Sequence, residues 1–238
     1  MLPWMLAAVC AFFVKGLCGF ANTLVFTALL AFGAENIMIS PVELVLGYPT
    51  NFIVAWKERK HIKWSVCIPL SGLVIAGSIP GILFLKNADT QIVKLIFGVV
   101  IILIGLEMLL REFQTKKARQ SKVALMLVGI LSGLLCGLYG IGALLGAYVS
   151  RVTDSSHAFK ANICIVFLVE NTLRIALYFA WGIINWPVLK TAALLIPFMG
   201  IGLFLGMKSS RILDDRIVKR LVIVMLIVSG FALLINNL

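Results

Sequence analysis

Few residues in this chain are able to do chemistry, and they sit where a charge is costly. Lys15, Glu170 and Arg174 fall inside long apolar runs, as do the amides Asn22, Asn51 and Asn171. Ionisable groups in such runs are functional suspects by default, because hydrocarbon does not solvate them. Glu170 and Arg174 are four residues apart, so on a helix they share a face and form a self-neutralising pair. Arg174 would still keep guanidinium donors for an anion, and Glu170 is the carboxylate placed to carry a coupling proton. Lys15 reads either as a snorkelling lysine or as an anion contact. Asn51 and Asn171 either bond across helices or line a site. Glu107 lies near a span end and reads as structural, and Lys190 as a snorkelling lysine.

Covalent and metal chemistry find no support. His61 and His157 lie between the apolar runs, and no paired carboxylates or Cys–His set falls within one. Cys10, Cys18, Cys67, Cys136 and Cys164 are odd in number and lack metal-ligand spacing; they read as buried free thiols. No GxxxxGK[ST] phosphate loop is present. An enzyme is not expected, nor a cofactor or a metal.

Two glycine-rich stretches suggest a different chemistry, the capture of an anion by backbone. The first is Lys15-Gly16-Leu17-Cys18-Gly19-Phe20-Ala21-Asn22, followed by Thr23. The second is Cys136-Gly137-Leu138-Tyr139-Gly140-Ile141-Gly142. A helix restarting after such a break points free N–H groups and its positive dipole end at the break. Such ends bind phosphate-like, sulfate-like or carboxylate anions. The candidate site is therefore Lys15, Gly19, Asn22, Thr23, Asn51, Gly137, Tyr139, Gly140, Gly142, Asn171 and Arg174, with Glu170 as coupling group.

The elements that must position these residues are membrane helices. Sixty-one per cent of the 238 residues are hydrophobic and 13% charged, against about 45–50% and about 25% in soluble domains. Apolar segments run over 2–33, 41–56, 64–85, 90–111, 121–150, 159–182, 187–207 and 215–236. Most of the net charge of +11 lies in loops 57–63, 111–122 and 208–220, which places those loops in the cytoplasm of a multi-pass cell-membrane protein. It is not read as a nucleic-acid surface. The N-terminus lacks a basic start and a cleavage site, so a cleaved signal is not expected. Trp4, Trp56, Trp64, Trp181 and Trp186 lie near span ends, as an interfacial belt requires.

With these loops inside, segment 121–150 must begin and end on one side, so it is a hairpin of two half-helices; segment 2–33 has the same form. A connector carrying Glu35 and Glu43 is expected outside. The expected fold is an all-α polytopic membrane protein of two inverted-topology repeats, 1–115 and 116–238. Each is a broken hairpin plus three transmembrane helices, and both belong to one membrane domain. Matching fragments in the same order support duplication, among them Gly77-xxx-Gly81 with Gly202-xxx-Gly206 and Ile92-Val93-Lys94 with Ile217-Val218-Lys219. These glycine pairs, with Gly142-xxx-Gly146, would pack helices within the chain or serve a homodimer face.

Inverted repeats with interrupted helices are the build of secondary transporters, with the site at the midplane. The reading is a carrier of a small anion in a lipid bilayer, without nucleic-acid partners. An anion channel, or a carrier of a carboxylate, shares these features. The anion, the direction of transport and the coupling ion stay open.

The motifs GLCGFANTLVFTALL and SGLLCGLYGIGALLGAY, the Asn171 span running to Tyr178 and Gly182-Ile-Ile-Asn-Trp186, and Asp-Arg-Ile-Val-Lys at 215–219 resemble the TSUP family, also called the TauE/SafE sulfite-exporter family. The resemblance covers nearly the whole chain. It implies secondary transport of sulfite, sulfoacetate or other organosulfonates without an ATPase. The chain departs from the family in lacking the denser glycine cluster and following proline of each hairpin, which leaves the substrate less determined than the fold.

Overall fold

The computed structural model describes residues 1–30, 36–87, 122–140, 142–153 and 155–210, with scattered positions over 99–109 and 212–235. Eight helices account for the continuous segments: α1 (Leu2–Cys18), α2 (Asn22–Leu30), α3 (Asn36–Lys57), α4 (Trp64–Asn87), α5 (Lys122–Tyr139), α6 (Ala143–Val152), α7 (Ser156–Ala180) and α8 (Trp186–Ser209). The expected spans at 90–111 and 215–236 fall, but for those scattered positions, outside the described residues, as do Glu35, Glu107 and most of loop 111–122.

Both hairpins break by the same local device. Helix α1 ends where Gly19 turns to φ 85°, its N–H donating to the Lys15 carbonyl at 2.6 Å. Helix α5 ends where Gly140 turns to φ 69°, its N–H donating to Cys136 at 2.8 Å. Only glycine takes that left-handed cap without a Cβ penalty. Two further residues carry the chain round before α2 and α6 restart, Ala21 itself at φ 71°.

Elsewhere, helix starts follow capping chemistry. Ser155 Oγ accepts from the Ala158 N–H, and Asn185 Oδ1 from Val188, with Pro187 in the first turn of α8. Asn162 of α7 reaches across to the start of α4, where its Oδ1 accepts from the Lys63 N–H at 2.8 Å.

Among the described residues, four helices have stretches long and apolar enough to cross a membrane: Met38–Lys57, Trp64–Ile82, Ser156–Ala180 and Trp186–Ser209. Their outward faces carry exposed Phe52, Ile68, Ile196 and Phe204, a surface that lipid rather than water covers. Trp56, Trp64, Trp181 and Trp186 are exposed close to the ends of these helices. Four of the five cysteines are buried, but Cys10 is exposed, against expectation, because it falls on the outer face of α1.

Close backbone approach ties the assembly together. Helix α1 lies along α8, α4 along α5, and α3 against α7. Gly202 and Gly206 meet the backbone of α1 at Val9 and Phe13, and a Cβ on Gly16 would come within 2.5 Å of the Leu203 carbonyl. Gly77 and Gly81 likewise meet α5 at Ile130 and Leu134. The two expected glycine pairs thus pack helices within the chain. Gly142 and Gly146 instead seat the rings of Phe167 and Phe20.

The contacts also show a regularity. Exchanging α1 with α5, α2 with α6, α3 with α7 and α4 with α8 turns α1–α8 into α5–α4, α3–α8 into α7–α4 and α2–α3 into α6–α7, and leaves α3–α7 as it is.

One expectation needs correcting here. Glu43 does not lie in an outer connector. Helix α3 starts at Asn36 and runs through Pro41, so Glu43 stands in its second turn, 2% exposed. A proline is tolerated in such a helix when neighbours satisfy the freed backbone, and the carboxylate is met by side chains of α2.

Candidate functional site

The end of α1 carries Lys15 into the interior of the bundle, 1% exposed. Its ammonium donates to Asn22 Oδ1 at 3.1 Å and to Asn51 Oδ1 at 2.6 Å. Asn22 opens α2, and its Nδ2 donates to Glu43 Oε1 of α3. Glu43, Gly47 and Asn51 recur at intervals of four and so share one face of α3. A Cβ on Gly47 would meet Glu43 Oε1 at 3.0 Å and Asn22 Nδ2 at 3.3 Å, so glycine leaves the space these groups fill.

Helix α7 approaches from the opposite side with Phe167, Glu170, Asn171 and Arg174 on one face. Arg174 Nη1 donates at 2.9 Å to the Cys136 carbonyl, which also accepts the Gly140 N–H at the end of α5. Its Nη2 donates to Asn171 Oδ1 at 3.2 Å. Its Nε is 3.8 Å from Glu170 Oε1, and these two atoms have no hydrogen-bond partner among the described residues. The guanidinium lies directly under the α5–α6 turn, where a Cβ on Gly140 would come within 2.5 Å of Nη1.

These groups surround a cavity of about 20 Å³, close to the room that one water needs, so a larger ligand enters only as the walls move apart. Helix α2 presents its first turn to it through Asn22, Thr23 and Leu24, and α6 its N-cap, Gly142. Two helix N-termini therefore open on one cavity that also holds an ammonium and a guanidinium. The cations are held by amide and carbonyl oxygens. No carboxylate lies within ion-pair distance of Lys15 among the described residues, and the third Lys15 donor has no protein partner there. Such a cavity can bind an anion by backbone N–H groups and two charged donors. Among the described residues no group of three or more His, Cys, Asp or Glu side chains is placed to hold a metal.

Of the residues singled out from sequence, Lys15, Asn22, Thr23 and Asn51 line this cavity from the first half of the chain. Gly140, Gly142, Asn171 and Arg174 line it from the second. Gly19 stands just behind the wall, against the Lys160 side chain, where a Cβ would meet Lys160 Cγ at 2.8 Å. Gly137 lies in the α4–α5 seam, where a Cβ would come within 2.5 Å of the Ser78 carbonyl, and is not among the residues that line the cavity. Glu170 is buried beside Arg174 and is not at the cavity wall. The Tyr139 side chain is outside the described residues.

Sequence reasoning missed Glu43, Phe20 and Phe167, which also line the cavity. The spacing of Glu43 with Gly47 and Asn51 was a usable signal for the first. Nothing marked the two phenylalanines among so many apolar residues.

Comparison with known proteins agrees with this build. No curated protein and no solved structure matches the chain. The family described as Sulfite exporter TauE/SafE matches over residues 4–233. Its members are transporters rather than enzymes. A match over nearly the whole length, on a chain of membrane-length apolar helices, means that this protein belongs to the TauE/SafE sulfite-exporter family.

Proposed function

We propose that the chain is a secondary carrier that moves a small sulfur-containing anion, sulfite or an organosulfonate, across the cell membrane by alternating access around the α2–α6 cavity. The observation that carries this reading is the convergence of two half-helix N-termini with Lys15 and Arg174 on that cavity. A sulfonate or sulfite presents three oxygens, which two N–H clusters and two cations can share. The cavity is narrow as it stands and must widen even for a cargo of few heavy atoms.

The two halves, 1–115 and 116–238, act as inverted repeats, and the pairwise exchange of helix contacts supports this. Loops 57–63, 111–122 and 208–220 face the cytoplasm by their charge. Rocking of one half against the other would then open the cavity to each side in turn.

The test is ligand-dependent melting of the purified protein with sulfite, thiosulfate, sulfoacetate, taurine, sulfate and acetate. A ligand at 100 to 1,000 times its Kd should add roughly 2.7–4.1 kcal/mol of stability. Selective stabilisation by sulfite or a sulfonate is the expected result. A melting curve that none of these anions moves would remove the assignment of cargo.

A further inference from the structure

The charges at the cavity balance. Lys15 and Arg174 supply two positive charges, and Glu43 and Glu170 two negative ones, all buried. A further buried cation, Lys160, stands behind Gly19 with its ammonium on Ser210 Oγ at 2.9 Å. An anion entering the cavity leaves it with net negative charge in a medium that solvates charge poorly. The imbalance is removed if one carboxylate takes up a proton.

The two carboxylates are not equivalent. Glu170 lies 3.8 Å from the Arg174 Nε and stands off the cavity wall. Glu43 lines the cavity, and its direct hydrogen-bond partner is neutral, the Asn22 amide. Glu43 also stands beside the first turn of α2, whose N–H groups would hold the anion.

Lys15 of α1 reaches Glu43 through Asn22, α2 offers only neutral groups, and α7 brings Arg174 and Glu170 within electrostatic range. Helix α8 also packs on α3, but its Lys190 and Lys208 are exposed.

Resting on the anion-carrier reading above, we propose that each monovalent anion is carried together with one proton on Glu43, so that the loaded cavity is electroneutral. The proton comes from the aqueous phase on the entry side and forms an O–H bond on the Glu43 carboxyl. It leaves to the other side once the anion has gone, and no net charge crosses.

The probe is methanesulfonate, which stays a monoanion near neutral pH, so its own titration cannot mimic coupling. Full-length protein in phosphatidylcholine–phosphatidylglycerol vesicles, with the outside one pH unit more acidic, should accumulate it about tenfold. A potassium–valinomycin potential should change this little. Glu43→Gln keeps an acceptor for Asn22; it should still be stabilised by methanesulfonate and equilibrate it down its gradient, yet accumulate none. Without any variant, calorimetry of the wild type in buffers of different ionisation enthalpy should show one proton taken up per anion bound.

Accumulation that persists in Glu43→Gln overturns the proposal. So does loss of the pH drive in Glu170→Gln with its retention in Glu43→Gln, or wild-type flux that follows the potential alone, or binding without proton uptake. These outcomes leave the anion carrier standing. The absence of saturable flux for methanesulfonate, sulfoacetate and sulfite alike would overturn the carrier reading, and this proposal with it.

Discussion

Replacing Lys15 by methionine separates the role of its charge from that of its packing. The variant keeps the unbranched stem, which is buried at the end of α1, and deletes the ammonium. Two amide oxygens then lose their donor, Asn22 Oδ1 at 3.1 Å and Asn51 Oδ1 at 2.6 Å. Each buried acceptor left without a partner costs roughly 1–3 kcal/mol. Relief of the ammonium's own desolvation, several kcal/mol, opposes this, so ligand-free stability should fall by only about 1–3 kcal/mol. Anion binding loses a charge-assisted hydrogen bond of about 1.5–3 kcal/mol, a weakening of roughly 10- to 150-fold. Melting of wild type and variant across a sulfonate titration reads both effects. The ligand-free midpoint gives stability, and the rise with concentration gives Kd through RT ln(1 + [L]/Kd). A folded Lys15→Met protein with the wild-type Kd would refute the placement of this ammonium at the anion. The charge-balance argument adds a sharper requirement. Lys15→Met leaves Glu43 uncompensated, so adding Glu43→Gln should recover stability, with a coupling of about 1 kcal/mol or more in the double-mutant cycle.

Arg174→Lys keeps the charge but has a single ammonium in place of the fork that spans the Cys136 carbonyl and Asn171. It should bind the sulfonate about tenfold more weakly and melt lower, and wild-type titration curves would show that the fork is not needed. Gly206→Ala places a methyl against the α1 backbone at Phe13, an overpacking of about 1–3 kcal/mol. The melting temperature should fall while the Kd of the folded protein stays put; an unchanged midpoint would mean that α1 and α8 do not touch by backbone.

The sequence made the breaks legible and left the convergence obscure, for physical reasons. A helix that must stop in hydrocarbon needs a left-handed cap, and glycine is the residue that supplies one, so Gly19 and Gly140 mark the breaks in any reading. Gly77-xxx-Gly81 and Gly202-xxx-Gly206 are legible because close packing of membrane helices uses small residues. Gly137 is harder to read, because a glycine beside a break and a glycine in a seam look alike until the partner, Ser78 on α4, is known. Glu43 misled through its proline. The apolar segment opens at Pro41, which put a carboxylate two residues later in a connector at the outer end of the span. The helix in fact begins at Asn36, and that shift of about a turn moves Glu43 from an outer connector into the buried cluster. No spacing rule shows that α3 and α7 lie side by side, although that contact is what brings Glu43 near Arg174.

The way the buried charges are paired bears on function independently of any family. A cluster serving stability alone would join Lys15 to Glu43 directly and Arg174 to Glu170 through two parallel hydrogen bonds, since charge-assisted bidentate pairs are the strongest available. Here Asn22 stands between the first two, with its Oδ1 on the ammonium and its Nδ2 on the carboxylate. In the second pair Nε and Oε1 stay 3.8 Å apart without a hydrogen bond. Both cations are thus held in place by neutral groups while their charge is left incompletely answered. Departures from the most stable pairing belong at functional sites. Here the departure is what an anion needs, because a tightly paired cation would have to break a strong bond before it could bind one.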